Sequence, residues 1–155
     1  MIPRRLETRI RERLTHMPGA VILGPRQIGK TTLARAIADD SGNAVYLDLE
    51  SAADREIMRD ARPFLDTQFG KLVVIDEVQR VPDLFGTLRG VIDDRRRAGE
   101  PAGHFLLLGS ANRLLLGQSS ESLAGRVAYA ELGPIDALEA AATPWASFEI
   151  GRAHV

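Results

Sequence analysis

Residues 24–33 have the residue types and the spacing of a phosphate-binding loop. The segment reads GPRQIGKTTL, in which four residues separate Gly24 from Gly29, and Lys30 and Thr31 follow directly. Glycines let a backbone curl so that successive N–H groups surround an anion, and a helix that begins next adds the positive end of its dipole. We expect Lys30 to reach the β- and γ-phosphates of a nucleotide and the Thr31 hydroxyl to bind Mg²⁺.

Three further residues complete the predicted nucleotide-binding segment. Gln27 and Ile28 belong to the loop whose backbone amides make the contact, and Thr32 offers a second hydroxyl. Arg26 lies in the same loop, but we interpret it as exposed or in contact with a partner, because such loops work through their amides. The alternative is a glycine turn before a helix. It is disfavoured because a buried apolar run precedes the motif and a helical pattern follows it.

A pair of carboxylates follows the apolar run at residues 72–75, where LVVI leads into Asp76 and Glu77. An aspartate at the end of a strand can hold Mg²⁺, usually through water, beside the loop threonine. The adjacent glutamate can orient or deprotonate an attacking water. Taken alone the pair is typical of a solvated loop. Together with the phosphate-binding loop it predicts the metal and water chemistry of phosphoryl transfer.

Two later segments offer polar groups for the same chemistry. Ser110 and Asn112 follow the apolar run at residues 105–108, and ligands of open parallel sheets lie beyond the carboxyl ends of the strands. Either residue could sense a γ-phosphate or position water, and a polar turn is an equally good interpretation. Arg126 precedes a further strand pattern and could stabilise the charge of a transferring phosphate. On position alone, a surface arginine is the better interpretation of Arg126.

The apolar pattern around these residues alternates between strands and helices. Helices are predicted at residues 6–17, 30–38, 54–69 with a break at Pro63, and 84–92 with Pro82 in the first turn. Buried strands are predicted at residues 20–23, 44–49, 72–75, 105–108 and 127–132. This alternation predicts an α/β fold with three layers (α/β/α) around a mostly parallel, five-stranded sheet.

The composition excludes several classes of protein. A chain of 155 residues suits one domain, and a net charge of −1 gives no field that would recruit nucleic acid or an anionic membrane. The arginines at residues 95–97 are interpreted as the solvated end of a helix. There is no cysteine, the three histidines lack metal-ligand spacing, and no apolar run approaches the ~20 residues that span a bilayer. We therefore expect a cytoplasmic protein without a membrane partner.

With these motifs the chain resembles an AAA-type P-loop ATPase. More narrowly, it resembles bacterial and archaeal ATPases that pair an N-terminal AAA domain with a poorly characterised C-terminal domain. The resemblance covers about residues 4–132 and rests on four segments in the family's order, GPRQIGKTTL, VVIDEVQRVPDLF, LLLGSAN and ESLAGRV.

The resemblance implies ATP and Mg²⁺ as ligands and assigns a role to each candidate. Asp76 would lie on the metal side, with Glu77 as the catalytic base and Lys30 on the phosphates. Ser110 would be a sensor. Arg126 would respond to the nucleotide, either in the same chain or from a neighbouring subunit of a homo-oligomer.

The resemblance also implies a sheet order and a domain boundary. The strand before the phosphate-binding loop would lie between the strands at residues 72–75 and 105–108. Residues 1–134 would form the nucleotide-binding domain, and residues 135–155 a short tail at the start of a missing or truncated second domain. Family members are typically much longer, which puts sustained turnover in doubt more than nucleotide binding.

The predicted function is ATP binding and Mg²⁺-dependent ATP hydrolysis, coupled as a switch or motor to a protein or nucleic-acid partner that the sequence does not identify. Two other classes stay open. One is a nucleotide-binding interaction module or an inactive remnant. The other is a small-molecule kinase, which the Asp76–Glu77 pair disfavours, since a kinase needs its base placed for an acceptor and not for water.

Overall fold

The computed structural model describes residues 4–110 and 112–141. The strands are β1 (Gly19–Leu23), β2 (Ala44–Asp48), β3 (Leu72–Asp76), β4 (Phe105–Gly109) and β5 (Val127–Glu131). The helices are α1 (Arg5–His16), α2 (Lys30–Ser41), α3 (Ala52–Arg59), α4 (Ala61–Thr67), α5 (Leu84–Arg97), α6 (Arg113–Leu123) and α7 (Ala137–Ala141), with a 3₁₀ turn at Val78–Arg80. None of the helices in the described ranges has the length and apolar character needed to cross a bilayer.

The five strands form one sheet in the order β2-β3-β4-β1-β5, and every neighbouring pair is parallel. This confirms the three-layer α/β/α fold. The expected neighbours of β1 were wrong in one case, because β1 lies between β4 and β5 while β3 pairs with the far side of β4. The burial of the strands fits this order: every residue of β4 is buried, whereas β5 alternates as an edge strand does.

Each face of the sheet carries its own apolar core, because successive strand residues point to opposite sides. On one face, Ala20 and Ile22 of β1 pack with the buried side chains of α1 and α2. On the other face, Val21 and Leu23 pack with the core formed by α3, α4 and α5. Side chains of β1 therefore enter both cores, and this packing fixes the strand from which the following loop begins.

Three local predictions were wrong. The helical segment after β2 breaks at Asp60 and not at Pro63, which lies in the first turn of α4, where a missing N–H costs nothing. Pro82 precedes α5 and its N-cap residue Asp83 rather than lying in the first turn. In the arginine cluster at the end of α5, Arg95 is 4% exposed and belongs to the core.

Candidate functional site

The predicted phosphate-binding loop connects β1 to α2 at the carboxyl edge of the sheet. The Gly24 amide donates to the Gly109 carbonyl (3.3 Å), and a Cβ added at Gly24 would lie 2.7 Å from the carbonyl oxygen of Leu132, so only glycine fits there. Gly29 has φ = 102°, a left-handed conformation that favours glycine. No side chain caps the start of α2. The first amides of the helix therefore point into the loop without a capping partner, as anion binding requires.

Lys30 is buried inside the curve of this loop. Its Nζ donates to the carbonyl oxygens of Gly24 (2.8 Å) and Pro25 (2.7 Å), and the residue is 5% exposed. Both acceptors are backbone atoms of the loop itself. The ammonium group is therefore held against the backbone of the loop, and no ion pair joins it to a carboxylate within the described residues.

Thr31 and Asp76 are brought together from two different elements. Thr31 lies in the first turn of α2, and its Oγ1 donates to Oδ2 of Asp76, the last residue of β3, at 2.7 Å. The other carboxylate oxygen, Oδ1, accepts from the backbone amide of Glu77 at 2.9 Å. A hydroxyl and a carboxylate are the hard oxygen donors that Mg²⁺ prefers, with phosphate and water completing its shell. The described residues contain no cluster of three or more His, Cys, Asp or Glu that would suit another metal.

Tyr46 joins this pair, which the sequence interpretation missed. Its hydroxyl donates to the same Oδ2 of Asp76 at 2.6 Å. Burial, followed by the hydrogen bond to the Asp76 carboxylate, raises the pKa of the Tyr46 hydroxyl above its ordinary value, so Tyr46 remains a donor. The guanidinium of Arg35 stacks over the ring at 4.1 Å. Only the pairing of β2 with β3, which sets Tyr46 opposite Val74, brings the hydroxyl to Asp76.

Glu77 lines a cavity of about 470 Å³ at this edge. The residue has φ = 56°, an unusual left-handed conformation for a glutamate. Its Oε2 accepts from Nε2 of Gln79, a residue to which the sequence assigned no role. The cavity is lined by Arg26, Gln27, Gly29, Lys30, Thr31, Thr32, Glu50 and Glu77.

A second cavity, of about 220 Å³, lies behind the loop and has more apolar walls. Ile28, Leu33 and Ile135 contribute those walls, and Arg4 and Glu7 add charge at the rim. Arg4 donates to the carbonyl oxygens of Ile28 and Gly133 and forms an ion pair with Glu139 of α7. These contacts join the start of the described chain, the loop and α7 around one space, and the sequence interpretation did not predict this cavity.

Ser110 directly follows β4, whose last residue Gly109 contacts the start of the loop. Its Oγ accepts from Nδ2 of Asn112 at 3.2 Å. Since β4 lies between β1 and β3, Ser110 follows the strand between the loop and Asp76. The structure therefore brings the loop, Asp76–Glu77 and Ser110 to one edge of the sheet.

Arg126 lies at the opposite edge of the sheet. Its carbonyl accepts from the Gly19 amide at the start of β1, which places Arg126 about 16 Å along the strand from the loop. Its guanidinium contacts both oxygens of Asp93 (2.8 and 2.9 Å), and this hydrogen bonding lowers the pKa of the Asp93 carboxyl. The structure therefore does not bring Arg126 to the phosphate-binding loop of its own chain, and the same-chain role considered for it does not fit.

Comparisons with known proteins give the class to which this fold and site belong. A family described as an AAA domain matches residues 17–141, which is most of the chain. The chain therefore belongs to the AAA domain family, and this membership supports nucleotide binding.

Two curated relatives are uncharacterized proteins, Rv2008c from Mycobacterium tuberculosis and Mb2031c from Mycobacterium bovis. Each is 44% identical over 124 residues, which is 80% of this chain. The matched region makes up 27% of each relative, so the chain spans well under a third of their length.

Solved structures share the fold at low identity. The RuvB Holliday junction branch migration motor of Thermotoga maritima aligns over 97% of this chain and 52% of its own, with a TM-score of 0.60 and 20% identity. Cdc6p of Pyrobaculum aerophilum aligns over 90% of this chain and 49% of its own, with a TM-score of 0.57 and 16% identity. The replication initiator DnaA, solved with AMPPCP and single-stranded DNA, has a TM-score of 0.54 and 16% identity over 86% of this chain and 49% of its own.

Proposed function

We propose that this chain binds ATP and hydrolyses it with Mg²⁺. The observation that carries the proposal is the hydrogen bond of 2.7 Å between Thr31 and Asp76, made beside the buried Lys30. A phosphate-binding loop alone would suit many nucleotide-binding proteins. A loop threonine bonded to a carboxylate at the end of the neighbouring β3 provides in addition the oxygen donors that a Mg²⁺–nucleotide complex needs.

Lys30 and the loop amides bind the phosphates in this proposal. The Nζ of Lys30 exchanges the carbonyls of Gly24 and Pro25 for β- and γ-phosphate oxygens, a gain because a charged acceptor makes the stronger hydrogen bond. The amides of Gln27, Ile28 and Gly29 and the first turn of α2 surround the phosphates. Thr32 lines both cavities and can add a hydroxyl contact.

Thr31 and Asp76 would hold the metal, and Glu77 would act on water. Mg²⁺, when bound, neutralises charge on the phosphates. Thr31 donates its proton to Asp76, which leaves the lone pairs of its own Oγ1 free for a cation. The Glu77 carboxylate, in the same cavity, orients or deprotonates the attacking water, and Ser110 senses the γ-phosphate at the end of β4.

The second cavity suits the base of the nucleotide. It adjoins the loop at Gln27, Gly29 and Thr32, so it continues from the phosphate cavity. Ile28, Leu33 and Ile135 offer apolar contact for a flat ring, and Arg4 and Glu7 offer polar groups at its rim.

A neighbouring copy of the chain would complete the site. Arg126 is too far from its own loop, so a role in phosphoryl transfer requires that it reach the nucleotide of another subunit in a homo-oligomer. The solved structures that share this fold include a replication initiator and a Holliday junction branch migration motor. We therefore propose that hydrolysis drives a switch or motor acting on a nucleic-acid or protein partner, with no part of the chain in a membrane and the cytoplasm as its location.

Thermal unfolding with and without Mg²⁺-ATP tests the proposal directly. Ligand at about 100 times its dissociation constant should add about 2.7 kcal/mol, a shift of about 5–10 °C for a chain of this size. Lys30→Ala should lose the shift. Glu77→Gln should keep the shift and lose phosphate release.

The other outcomes select the alternatives. A wild-type shift without phosphate release identifies a nucleotide-binding module. Release that depends strongly on one small acceptor identifies a kinase. A cooperative wild-type transition without any shift overturns nucleotide binding and leaves an inactive remnant.

A further inference from the structure

The hydroxyl of Tyr46 makes a contact that phosphate binding does not explain. It lies on β2, the strand farthest from β1 on that side of the sheet, yet it donates to Oδ2 of Asp76 at 2.6 Å. The same oxygen accepts from Thr31, and Oδ1 accepts from the Glu77 amide. Three donors therefore converge on one carboxylate that is 5% exposed.

We propose that Tyr46 is a positioning residue that fixes the Asp76 carboxylate in the orientation that receives Mg²⁺. The inference rests on the proposed function, because it assigns to Tyr46 a role in the metal half of that site. Tyr46 does not touch the nucleotide in this proposal. It acts only through Asp76.

The geometry indicates that Tyr46 orients the Asp76 carboxylate and does more than fill its hydrogen-bonding capacity. The Glu77 amide and the Thr31 hydroxyl already give each oxygen of Asp76 one donor, so the carboxylate is satisfied without Tyr46. Thr31, however, would itself be a metal ligand through the lone pairs of its Oγ1, so its position would be set by the cation as well as by Asp76. Tyr46 supplies the donor on Oδ2 that would not contact the cation, so it holds the carboxylate independently of the metal.

The tyrosine ring is itself held rigidly enough to serve this purpose. It packs on the α1–α2 side of the sheet, and Arg35 of α2 covers it at 4.1 Å. A tyrosine has only two side-chain torsions, and the contacts with the sheet and with Arg35 restrict them. The donor therefore needs less ordering than one on a long flexible side chain.

Tyr46→Phe tests the proposal by removing one oxygen atom and keeping the ring. The probe is the ATP analogue AMPPNP, whose affinity is measured by calorimetry once with EDTA and once with excess Mg²⁺. The ratio of the two dissociation constants reports how strongly the complex binds the metal, without turnover. We expect Tyr46→Phe to leave the metal-free affinity within about twofold and to reduce the Mg²⁺-dependent gain by about tenfold, the lower end of the range for residues that support a metal ligand.

Tyr129→Phe is the matched control, since Tyr129 is the second of the two tyrosines in the chain. It lies on β5, and its hydroxyl donates to Ser119 of α6 at 3.1 Å, away from Asp76. The variant should leave both affinities unchanged. A second variant, Arg35→Ala, keeps the hydroxyls of Thr31 and Tyr46 but removes the guanidinium that covers the Tyr46 ring. It should reduce the Mg²⁺-dependent gain in affinity by a smaller factor.

The outcomes separate this inference from the proposed function. If Mg²⁺ raises the AMPPNP affinity of Tyr46→Phe as much as that of the wild type, the inference is overturned and ATP binding still stands. A Tyr46→Phe protein that unfolds at lower temperature but keeps the ratio has lost only a structural contact, which also overturns it. Wild-type protein that fails to bind AMPPNP with Mg²⁺ overturns the proposed function itself.

Discussion

The two edges of the sheet hold their charged side chains in different ways. At the carboxyl edge, Lys30 bonds to carbonyl oxygens of its own loop beside a cavity of about 470 Å³. At the amino edge, Arg126 is bound by both oxygens of Asp93, and Arg95 is buried against the ring of Phe105. Lys30 therefore has neutral partners beside open space, whereas Arg126 is paired with a carboxylate and Arg95 is enclosed.

This difference distinguishes a charged side chain that is available to a ligand from charged side chains that stabilise the fold. A carbonyl acceptor is easily exchanged for a phosphate oxygen, because the charged acceptor forms the stronger hydrogen bond. A bidentate contact with a carboxylate offers no such gain within the chain. The proposed role of Arg126 would therefore require that a second subunit bring phosphate to the amino edge, where it would replace Asp93 as the acceptor.

Mixing two inactive variants would test this exchange, and it should give the largest effect. Glu77→Gln lacks the base, with an expected loss of about 10²–10⁴ in hydrolysis. Arg126→Ala lacks the arginine, with an expected loss of about 10³–10⁵. If Arg126 acts from a neighbouring subunit, the mixture contains sites with an intact base beside an intact arginine. Phosphate release by the mixture should then clearly exceed the sum of the two separate rates.

Arg96→Ala is the control for this experiment. Arg96 lies near the same turn and donates to the Gly125 carbonyl at 2.9 Å, so its loss perturbs the region without removing Arg126. We expect it to keep turnover. Two variants that each bind ATP and stay inactive when mixed would contradict a role for Arg126 between subunits, and the contact with Asp93 would then be structural only.

Arg95 sharpens the comparison through stability. Arg95 donates to the Leu65 carbonyl at 2.8 Å, and its Nη1 is buried without a hydrogen-bond partner. Arg95→Ala removes a packed side chain and should lower the free energy of unfolding by about 2–4 kcal/mol. Arg95→Met restores most of the volume without the unpaired nitrogen, so it should cost less. Urea unfolding measures both changes, and the ATP-induced stabilisation should stay as in the wild type.

Arg97 provides the matched control on the same helix. Its side chain is 74% exposed and pairs with Asp94 at the surface, so Arg97→Ala should cost less than about 1 kcal/mol. Equal losses for Arg95→Ala and Arg97→Ala would show that burial at the amino edge does not stabilise the fold.

Local patterns in the sequence predict most of the elements and the loop. The strands are short apolar runs bounded by glycine, proline or carboxylates. The local sequence alone therefore predicts strands at residues 20–23 and 72–75. Lys30 and Thr31 are predictable because their spacing from the two glycines is enough to define the motif. Which strand lies beside β1 depends instead on packing between distant segments, and there the expectation failed.

The missed residues share one property, because each has a role that only tertiary contacts create. Tyr46 reads as an ordinary strand residue until the register of β2 with β3 brings its hydroxyl to Asp76. Arg95 reads as a surface arginine, since arginine is rarely buried, until Phe105 and Leu65 enclose it. Gln79 gains its role only from the left-handed turn at Glu77.

The pH dependence of stability that His104 causes is the smallest expected effect. It tests whether the amino edge of the sheet excludes water from this side chain. It is buried, and its ring Nε2 contacts the Glu100 carbonyl at 2.6 Å, so that nitrogen carries the proton and donates it. Burial lowers the pKa of His104 below its ordinary value. In the unfolded chain this histidine binds a proton near its ordinary pKa of about 6.5, whereas in the folded chain it binds one only at lower pH. The free energy of unfolding should therefore fall as the pH drops from about 7.5 to 5.5.

His104→Asn should flatten this slope in urea unfolding, although it lowers stability at pH 7.5. His16→Gln, at an exposed position, should keep the slope. A slope in His104→Asn equal to that of the wild type would mean that water reaches the ring, and the amino edge would then be less closed than its pairing indicates.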